Sequence, residues 1–320
     1  MLDSLLDSLL DATIVPGFSR IGYEVRSRTG GWRAVSSYDL TGATVVITGV
    51  TSGIGASAAR SMRAIGASLV VVGRDATRTN EAVESLRETE GPGAVNAVLA
   101  DMSELDQVSE AAARIAKDHP RIDVLVHNAG ALLAQRQLTS SGDEVTIAAQ
   151  VLGPFLLTTT LLPALRSGEG RVITVASGGM YAAPLPNLAA GEQLAMTPKA
   201  YDGTRQYAIA KRAQVTLNEM WADREPAVHF HCMHPGWADT PGVQASLPMF
   251  RRITRPVLRT ADQGADTVVW LAADPHGAAS TGGFWCDRAR RPIHRLPSTT
   301  RSDTPPARDA LWQWCVDQTS

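Results

Sequence analysis

Residues 43–47 are an apolar run that leads directly into Thr48-Gly49-Val50-Thr51-Ser52-Gly53-Ile54-Gly55, and small residues 56–59 follow at once. That order reads as strand, tight turn and helix. Glycines at 49, 53 and 55 let the backbone turn sharply and approach a ligand, while the unpaired N–H groups of the following helix face the same point. An anion fits there. The turn suits the pyrophosphate of a dinucleotide, although its spacing is G-x-x-x-G-x-G and not the commoner G-x-G-x-x-G. Taken alone, the pattern also fits a plain connector between two elements.

From that turn onward, apolar runs alternate with longer helix-period segments, which is the signature of βαβ units. Strands are expected near residues 43–47, 68–72, 94–99, 124–127, 171–176 and 228–232, with helices near 54–65, 76–90, 104–118, 142–166 and 206–222. Continuous apolar strands imply a parallel sheet covered on both faces. The expected fold is therefore α/β: one doubly wound domain over residues 41–286, with an N-terminal arm (1–40) and a C-terminal tail (287–320). In the arm, Leu2, Leu5, Leu6, Leu9 and Leu10 fall on one helical face and Asp3, Asp7 and Asp11 on another, so a short amphipathic helix should dock by its leucines. Residues 19–39 read as irregular. The tail, with Pro292, Pro297, Pro305 and Pro306, reads as extended chain ending in a helix over 307–316, anchored by Leu311, Trp312 and Trp314.

A net charge of -2 leaves no basic footprint for nucleic acid. Cys232, Cys286 and Cys315 are odd in number and scattered, which suits reduced thiols. No uninterrupted apolar run approaches the length of a membrane helix, and the first residues carry aspartates where a secretory leader needs bases. A cytoplasmic protein is expected. His229, His231, Cys232 and His234 crowd one strand end, but strand alternation separates Cys232 from the first two and no outlying CxxC or HxxxH pair completes a tetrahedron, so no metal site is expected.

Tyr207-Ala-Ile-Ala-Lys211 places a phenol and an ammonium one helical turn apart. An ammonium about 4 Å from a phenolate, at an effective dielectric of about 20, favours the ionised form by up to about 4 kcal/mol. A tyrosine so placed can exchange a proton with an alcohol or carbonyl near neutral pH. An isolated YxxxK is more often an ordinary surface pair, so its neighbours in sequence decide its weight.

Those neighbours are the glycine turn, His127-Asn128-Ala129-Gly130, Ser177 after RVITVA, and His234-Pro235-Gly236-Trp237-Ala238-Asp239-Thr240. In this order and context the chain resembles the short-chain dehydrogenase/reductase family over about residues 43–272, which implies a Rossmann fold. SRIGYE, RVITVASGGM, MHPGWADTPGV and QGADTVVWLA resemble one branch of that family and extend the likeness into the arm. The resemblance implies that Tyr207 is the general acid/base, that Lys211 lowers its pKa and holds the nicotinamide ribose, and that Ser177 hydrogen-bonds the substrate oxygen. It further implies a nucleotide held by Thr48, Gly49, Thr51, Ser52, Gly53, Ile54 and Gly55, an adenine contact at Asp101 and Met102, and an adenosine ribose beside Asn128, Ala129 and Gly130. Pro235, Gly236, Trp237 and Thr240 correspond to the segment that seats the nicotinamide. Asp101 is read equally well as a helix cap. Two positions depart from the family pattern: His127 stands where an asparagine is usual, and Gln150 replaces the asparagine that holds a water in the proton relay.

At the end of the second strand, Gly73-Arg74 leaves room and charge for a 2′-phosphate, which favours NADP(H) over NAD(H); Asp75 is read as a helix cap. The insert 178–205 and the segment 241–262 are expected to wall the substrate. In the second, a lid should turn Arg251, Arg252, Arg255 and Arg259 outward and the apolar side chains inward; a sharper alternative has the arginines meet an acidic head group of a lipophilic substrate, or a membrane surface. The reading is an oxidoreductase that moves hydride between nicotinamide and an apolar carbonyl or secondary alcohol. The alternative is a non-catalytic NAD(P)-binding sensor or scaffold. The resemblance also offers helices 142–166 and 206–222 as a homodimer surface, and membrane contact is not favoured.

Overall fold

Strand alternation decides the architecture, because side chains on successive residues enter opposite faces of one sheet. In the computed structural model, which describes residues 2–320 without the side chains of residues 2–5, 12 and 245, eight strands share that sheet. They are β1 (Thr44–Thr48), β2 (Ser68–Gly73), β3 (Val95–Leu99), β4 (Val124–His127), β5 (Arg171–Val175), β6 (His229–Met233), β7 (Gly283–Cys286) and β8 (Ala289–Arg290), in the spatial order 3-2-1-4-5-6-7-8. All neighbouring pairs are parallel except the last. The sheet is therefore longer by two strands than sequence patterning gives, since β7 and β8 are short and lack a turn signature. Asp287 and Arg288 make the turn between them, both at φ 54°. Strand order reverses between β1 and β4, which opens a crevice at the carboxyl ends of those strands.

The arm begins with α1 (Leu2–Ala12), α2 (Ile14–Phe18) and α3 (Arg20–Thr29); the domain follows with α4 (Gly53–Ala64), α5 (Ala76–Arg87), α6 (Leu105–Asp118), α7 (Val145–Ser167) and α8 (Gly203–Arg224). On one face of the sheet, Val46, Leu125, Val172 and Phe230 pack against α6, α7 and α8. On the other, Val45, Ile47, Val126 and Ile173 pack against α4, α5 and a later helix that contributes Val268 and Leu271. The molecule is a single Rossmann-like α/β domain with helices on both faces. Helix α7 is long and apolar enough to cross a membrane by composition, contrary to the expectation from apolar runs, but two-thirds of its apolar stretch is buried. It is a core helix, and a π-helical turn at Ala148–Leu152 interrupts it.

Several sequence expectations change here. Residues 19–39 are not irregular: Ser19 accepts a hydrogen bond from the Ile21 amide and starts α3. Segment 241–262 contains α9 (Pro241–Ser246), α10 (Pro248–Thr254) and the start of α11 (Ala261–Ala273). The tail is not merely extended, because it forms α12 (Pro297–Ser302) and α13 (Pro305–Gln318). Trp312 on α13 lies edge-on to Phe155 of α7 and Trp221 of α8, at 5.1 and 4.6 Å between centroids. The tail helix thus covers part of the surface expected to pair two copies.

The largest correction concerns α1, which docks by its aspartates. Asp7 is held by Arg26 at 2.7 Å and by both terminal nitrogens of Arg291, and Asp11 by Arg295 at 2.6 Å. Leu9 is 60% exposed. Three arginines from α3 and the tail hold these carboxylates, Arg291 in a bidentate contact with Asp7, and so orient the helix with Leu6 and Leu9 outward; Leu2, Leu5 and Asp3 lie outside the described side chains.

Candidate active site

The glycine turn follows β1 as its residues require. Gly49 and Gly53 have φ of 73° and 61°, and a Cβ on Gly49 would stand 2.8 Å from the Ala129 backbone. Only glycine allows that approach. Thr48 Oγ1 accepts from the amides of Asn128 and Ala129, and the Asn128 side-chain amide donates to the Thr48 and Gly49 carbonyls. The β1 and β4 loops are thereby one unit. Ser52 precedes α4 without a side-chain cap, so the first amides of α4 have no side-chain acceptor. Thr51, Ser52, Gly53 and Ile54 remain partly accessible beside them. Open amides, a helix dipole and absent Cβ atoms fit a pyrophosphate.

Tyr207 and Lys211 lie on α8, and Ser177 follows β5, where its hydroxyl accepts from the Gly179 amide. The Ser177 hydroxyl lies near enough to the Tyr207 phenol to favour its ionised form. Burial pushes the Tyr207 phenol up to about 12, against the opposing effect of the nearby Ser177 hydroxyl. Burial also pushes Lys211 down to about 8. The ammonium lies 5.2 Å from the Tyr207 ring centroid and donates to the Val175 carbonyl and to Gln214 Oε1, both at 3.0 Å. In this geometry desolvation sets the direction of the phenol's shift, and the Lys211 ammonium is aimed at the Val175 carbonyl and Gln214.

Gln150 is buried in the π-helical turn of α7. Its Nε2 donates to the Ala131 carbonyl, its Oε1 has no partner, and its main-chain oxygen accepts from Gln214 Nε2 at 2.6 Å. Gln214 therefore joins Lys211 to the backbone of α7. Nothing in the motif spacing marks it; only its place three residues after Lys211, on the same helical face, signals it. A cavity of about 30 Å³, room for a water or two, lies alongside and is lined in part by His127, Gln150, Thr158, Gln214 and Asn218. His127 Nε2 meets Thr158 Oγ1 there at 2.8 Å.

The nicotinamide-seating segment is gripped from below. Gly236 has φ 71°, and a Cβ there would meet the Arg259 guanidinium and the Phe18 carbonyl. The Trp237 amide donates to Phe18 O at 2.7 Å, and Arg259 donates to Pro235 O, Ser19 O and Gly17 O. Arg259 is 1% exposed and paired with Asp287, so it does not point outward. Asp287 also receives Arg26 at 2.6 Å. Burial would raise the Asp287 carboxyl, but Arg259 and Arg26 hold it below the usual carboxylate range. The Phe18 ring packs over Gly178, next to Ser177, and 4.4 Å from the His234 ring. The arm is thus part of the wall behind the site, a role its sequence does not announce. Thr240 caps α9 and lies against Gly53, which brings the seating segment to the glycine turn.

Elsewhere, Asp75 caps α5 by accepting from the Arg78 amide. Asp101 accepts from the amide and hydroxyl of Ser103, and Met102 is buried against Gly153. Arg74 is largely exposed and stands 3.8 Å from Asp101. Gly130 is open to solvent beside Gln150. Both ring nitrogens of His231 are committed, Nε2 to Gly277 O and Nδ1 to the Trp285 indole N–H. No group of three His, Cys, Asp or Glu converges among the described residues.

Known proteins resemble this chain in sequence and in fold. The family model described as short chain dehydrogenase matches residues 43–189. Dehydrogenase/reductase SDR family member 12 of Bos taurus is 38% identical over 272 residues, 84% of each chain. Polyprenol dehydrogenase of Mus musculus is 32% identical over 257 residues, 78% of this chain and 76% of that one. Among solved structures, L-sorbose reductase from Gluconobacter frateurii, complexed with NADPH and L-sorbose, superposes with a TM-score of 0.61 at 21% identity, covering 78% of this chain and 95% of that chain.

Proposed function

This chain belongs to the short-chain dehydrogenase/reductase family, and from that premise we propose that it is an NADP(H)-dependent oxidoreductase acting on a carbonyl or secondary alcohol of an apolar molecule. The observation that carries the reading is the convergence of the Ser177 hydroxyl, the Tyr207 phenol and the Lys211 ammonium, the last 5.2 Å from the phenol ring. A nicotinamide, when bound, supplies or accepts the hydride. The chain's own groups do the rest. Ser177 orients the substrate oxygen, and Tyr207, protonated by its burial, gives that oxygen a proton as alkoxide character develops. Lys211 then lies near enough to stabilise the phenolate left behind. In oxidation the same proton returns to Tyr207.

The uncapped start of α4 would hold the pyrophosphate and Arg74 a 2′-phosphate, while Asn128 and Ala129 would border the adenosine ribose. The NADPH in the sorbose reductase structure supports that cofactor choice, and the polyprenol dehydrogenase relative supports an apolar substrate. A non-catalytic nucleotide-binding protein is the second reading, favoured by one observation: the Gln150 Oε1 left without a partner.

Tyr207→Phe separates the two. Aldehydes, ketones and alcohols are screened with NADPH, NADH and their oxidised forms by nicotinamide absorbance. The enzyme reading requires turnover that falls by about two to four orders of magnitude in the variant while cofactor affinity stays within a few-fold. Absence of turnover across the screen, with nucleotide binding intact, supports the second reading instead.

A further inference from the structure

Ten large hydrophobic side chains are conspicuously exposed among the described residues, and eight of them lie on three segments that are tied together. The arm carries Leu6, Leu9, Ile14, Val15 and Ile21; α10 carries Met249 and Ile253, and the tail Leu296. Trp237 connects the arm to α10, bonding Phe18 O through its amide and meeting the Phe250 ring edge-on at 5.1 Å. Arg295, beside Leu296, holds Asp11 and lies over the Phe18 ring. These side chains therefore crowd one end of the molecule, next to the nicotinamide-seating segment.

Among the described residues, the charges left unpaired at this end are positive. Asp7, Asp11, Asp239 and Asp287 are each consumed by arginines, Asp239 by a bidentate Arg251 at 2.7 and 3.0 Å. Glu24 faces two arginines, Arg20 and Arg28. Arg252 and Arg255 are exposed and make no ion pair among the described residues, and Arg252 shares the outer face of α10 with Met249 and Ile253 at i+3 and i+4 spacing. Turning Asp7 and Asp11 inward leaves Leu6 and Leu9 exposed and neutralises two negative charges in one move.

We propose that this end of the molecule is a membrane-docking face that lies on an anionic lipid surface, with α1, α2 and α10 in the interfacial region and the arginines at the phosphate level. Apolar side chains beside unpaired cations are what such a surface recognises. Contact there sets the seating segment and α9 at the lipid boundary. The inference stands on exposure and charge, and holds or fails separately from the redox reading.

The full-length protein is sedimented with vesicles of phosphatidylcholine alone and of phosphatidylcholine mixed with phosphatidylglycerol, at low and high salt. Binding is expected to the mixed vesicles and to weaken with salt. Ile14→Glu with Val15→Glu should reduce it by about tenfold or more, and Arg252→Glu with Arg255→Glu should abolish the preference for anionic lipid. Met249→Glu with Ile253→Glu carries the test if the first pair fails to fold by circular dichroism. Wild-type protein left in the supernatant with every vesicle overturns the proposal, as does undiminished binding by the apolar variants. Light scattering that shows a dimer dissociated by Ile14→Glu with Val15→Glu, without lipid binding, would assign the face to a second copy.

Discussion

Gln214 Oε1 accepts from Lys211 Nζ at 3.0 Å while Gln214 Nε2 donates to Gln150 O at 2.6 Å, so one amide spans the lysine and the backbone of α7. An amide in this position fixes the ammonium without itself gaining or losing a proton. It also uses a main-chain oxygen that the π-helical turn leaves facing α8.

Gln214→Leu removes that span and leaves the Gln150 carbonyl and a buried ammonium short of partners. Stability should fall by about 1–3 kcal/mol, and kcat by about tenfold with substrate KM little changed, since the residue positions Lys211 and touches no substrate. Gln214→Glu places a carboxylate on Lys211 and should raise its pKa above about 8, moving the pH profile upward. Steady-state kinetics across pH and thermal melts check both.

Arg74 is exposed, and its contact with Asp101 is long, at 3.8 Å, so the guanidinium can turn to a 2′-phosphate. Arg74→Glu should raise KM for NADPH by about ten- to a hundredfold, as loss of a charge-assisted contact followed by repulsion demands. KM for NADH should stay within a few-fold. Equal effects on both cofactors would remove Arg74 from cofactor choice.

Asp287 is the shared anion of Arg26 and Arg259, and its removal leaves two buried cations without a counter-charge. Asp287→Ala should cost about 3–5 kcal/mol and expose the arm to proteolysis near residues 12–20. Because the folded carboxyl lies below its unfolded value, this contribution is present above about pH 4 and is lost as pH falls below it. Denaturant titration and limited proteolysis read the two effects.

Three buried histidines supply an earlier acid transition. Burial lowers His127 to about 3, His231 to about 4 and His234 to about 3. Below an unfolded value of about 6.5, the unfolded chain takes up protons that the folded one refuses, so stability falls as pH drops from about 6.5 towards 4. Three such groups give a slope of up to about 4 kcal/mol per pH unit. Melting temperature should fall between about pH 7 and pH 5, and His127→Asn should flatten the fall; no change in slope would place the transition elsewhere.

How much of this was legible in sequence follows from the range of the interactions involved. The strand-turn-helix at Thr48 to Gly55, the alternation that follows it and the capping role of Asp75 are local, and local sequence states them. Gln214, Arg259 and Phe18 act through partners 64, 28 and more than 200 positions away, and their immediate neighbours carry no trace of it. Arg259 reads as a solvent-facing arginine until Asp287 meets it.

Periodicity and backbone chemistry in the sequence alone determined the parallel sheet, its two apolar faces and the glycine turn, since each depends on residues a few positions apart. Only tertiary structure decided which face of α1 turns inward, where the Lys211 ammonium points and what closes the wall behind Ser177. Those are contests between desolvation and distant counter-charges, and their outcome depends on which side chains the fold brings within a few ångströms of one another.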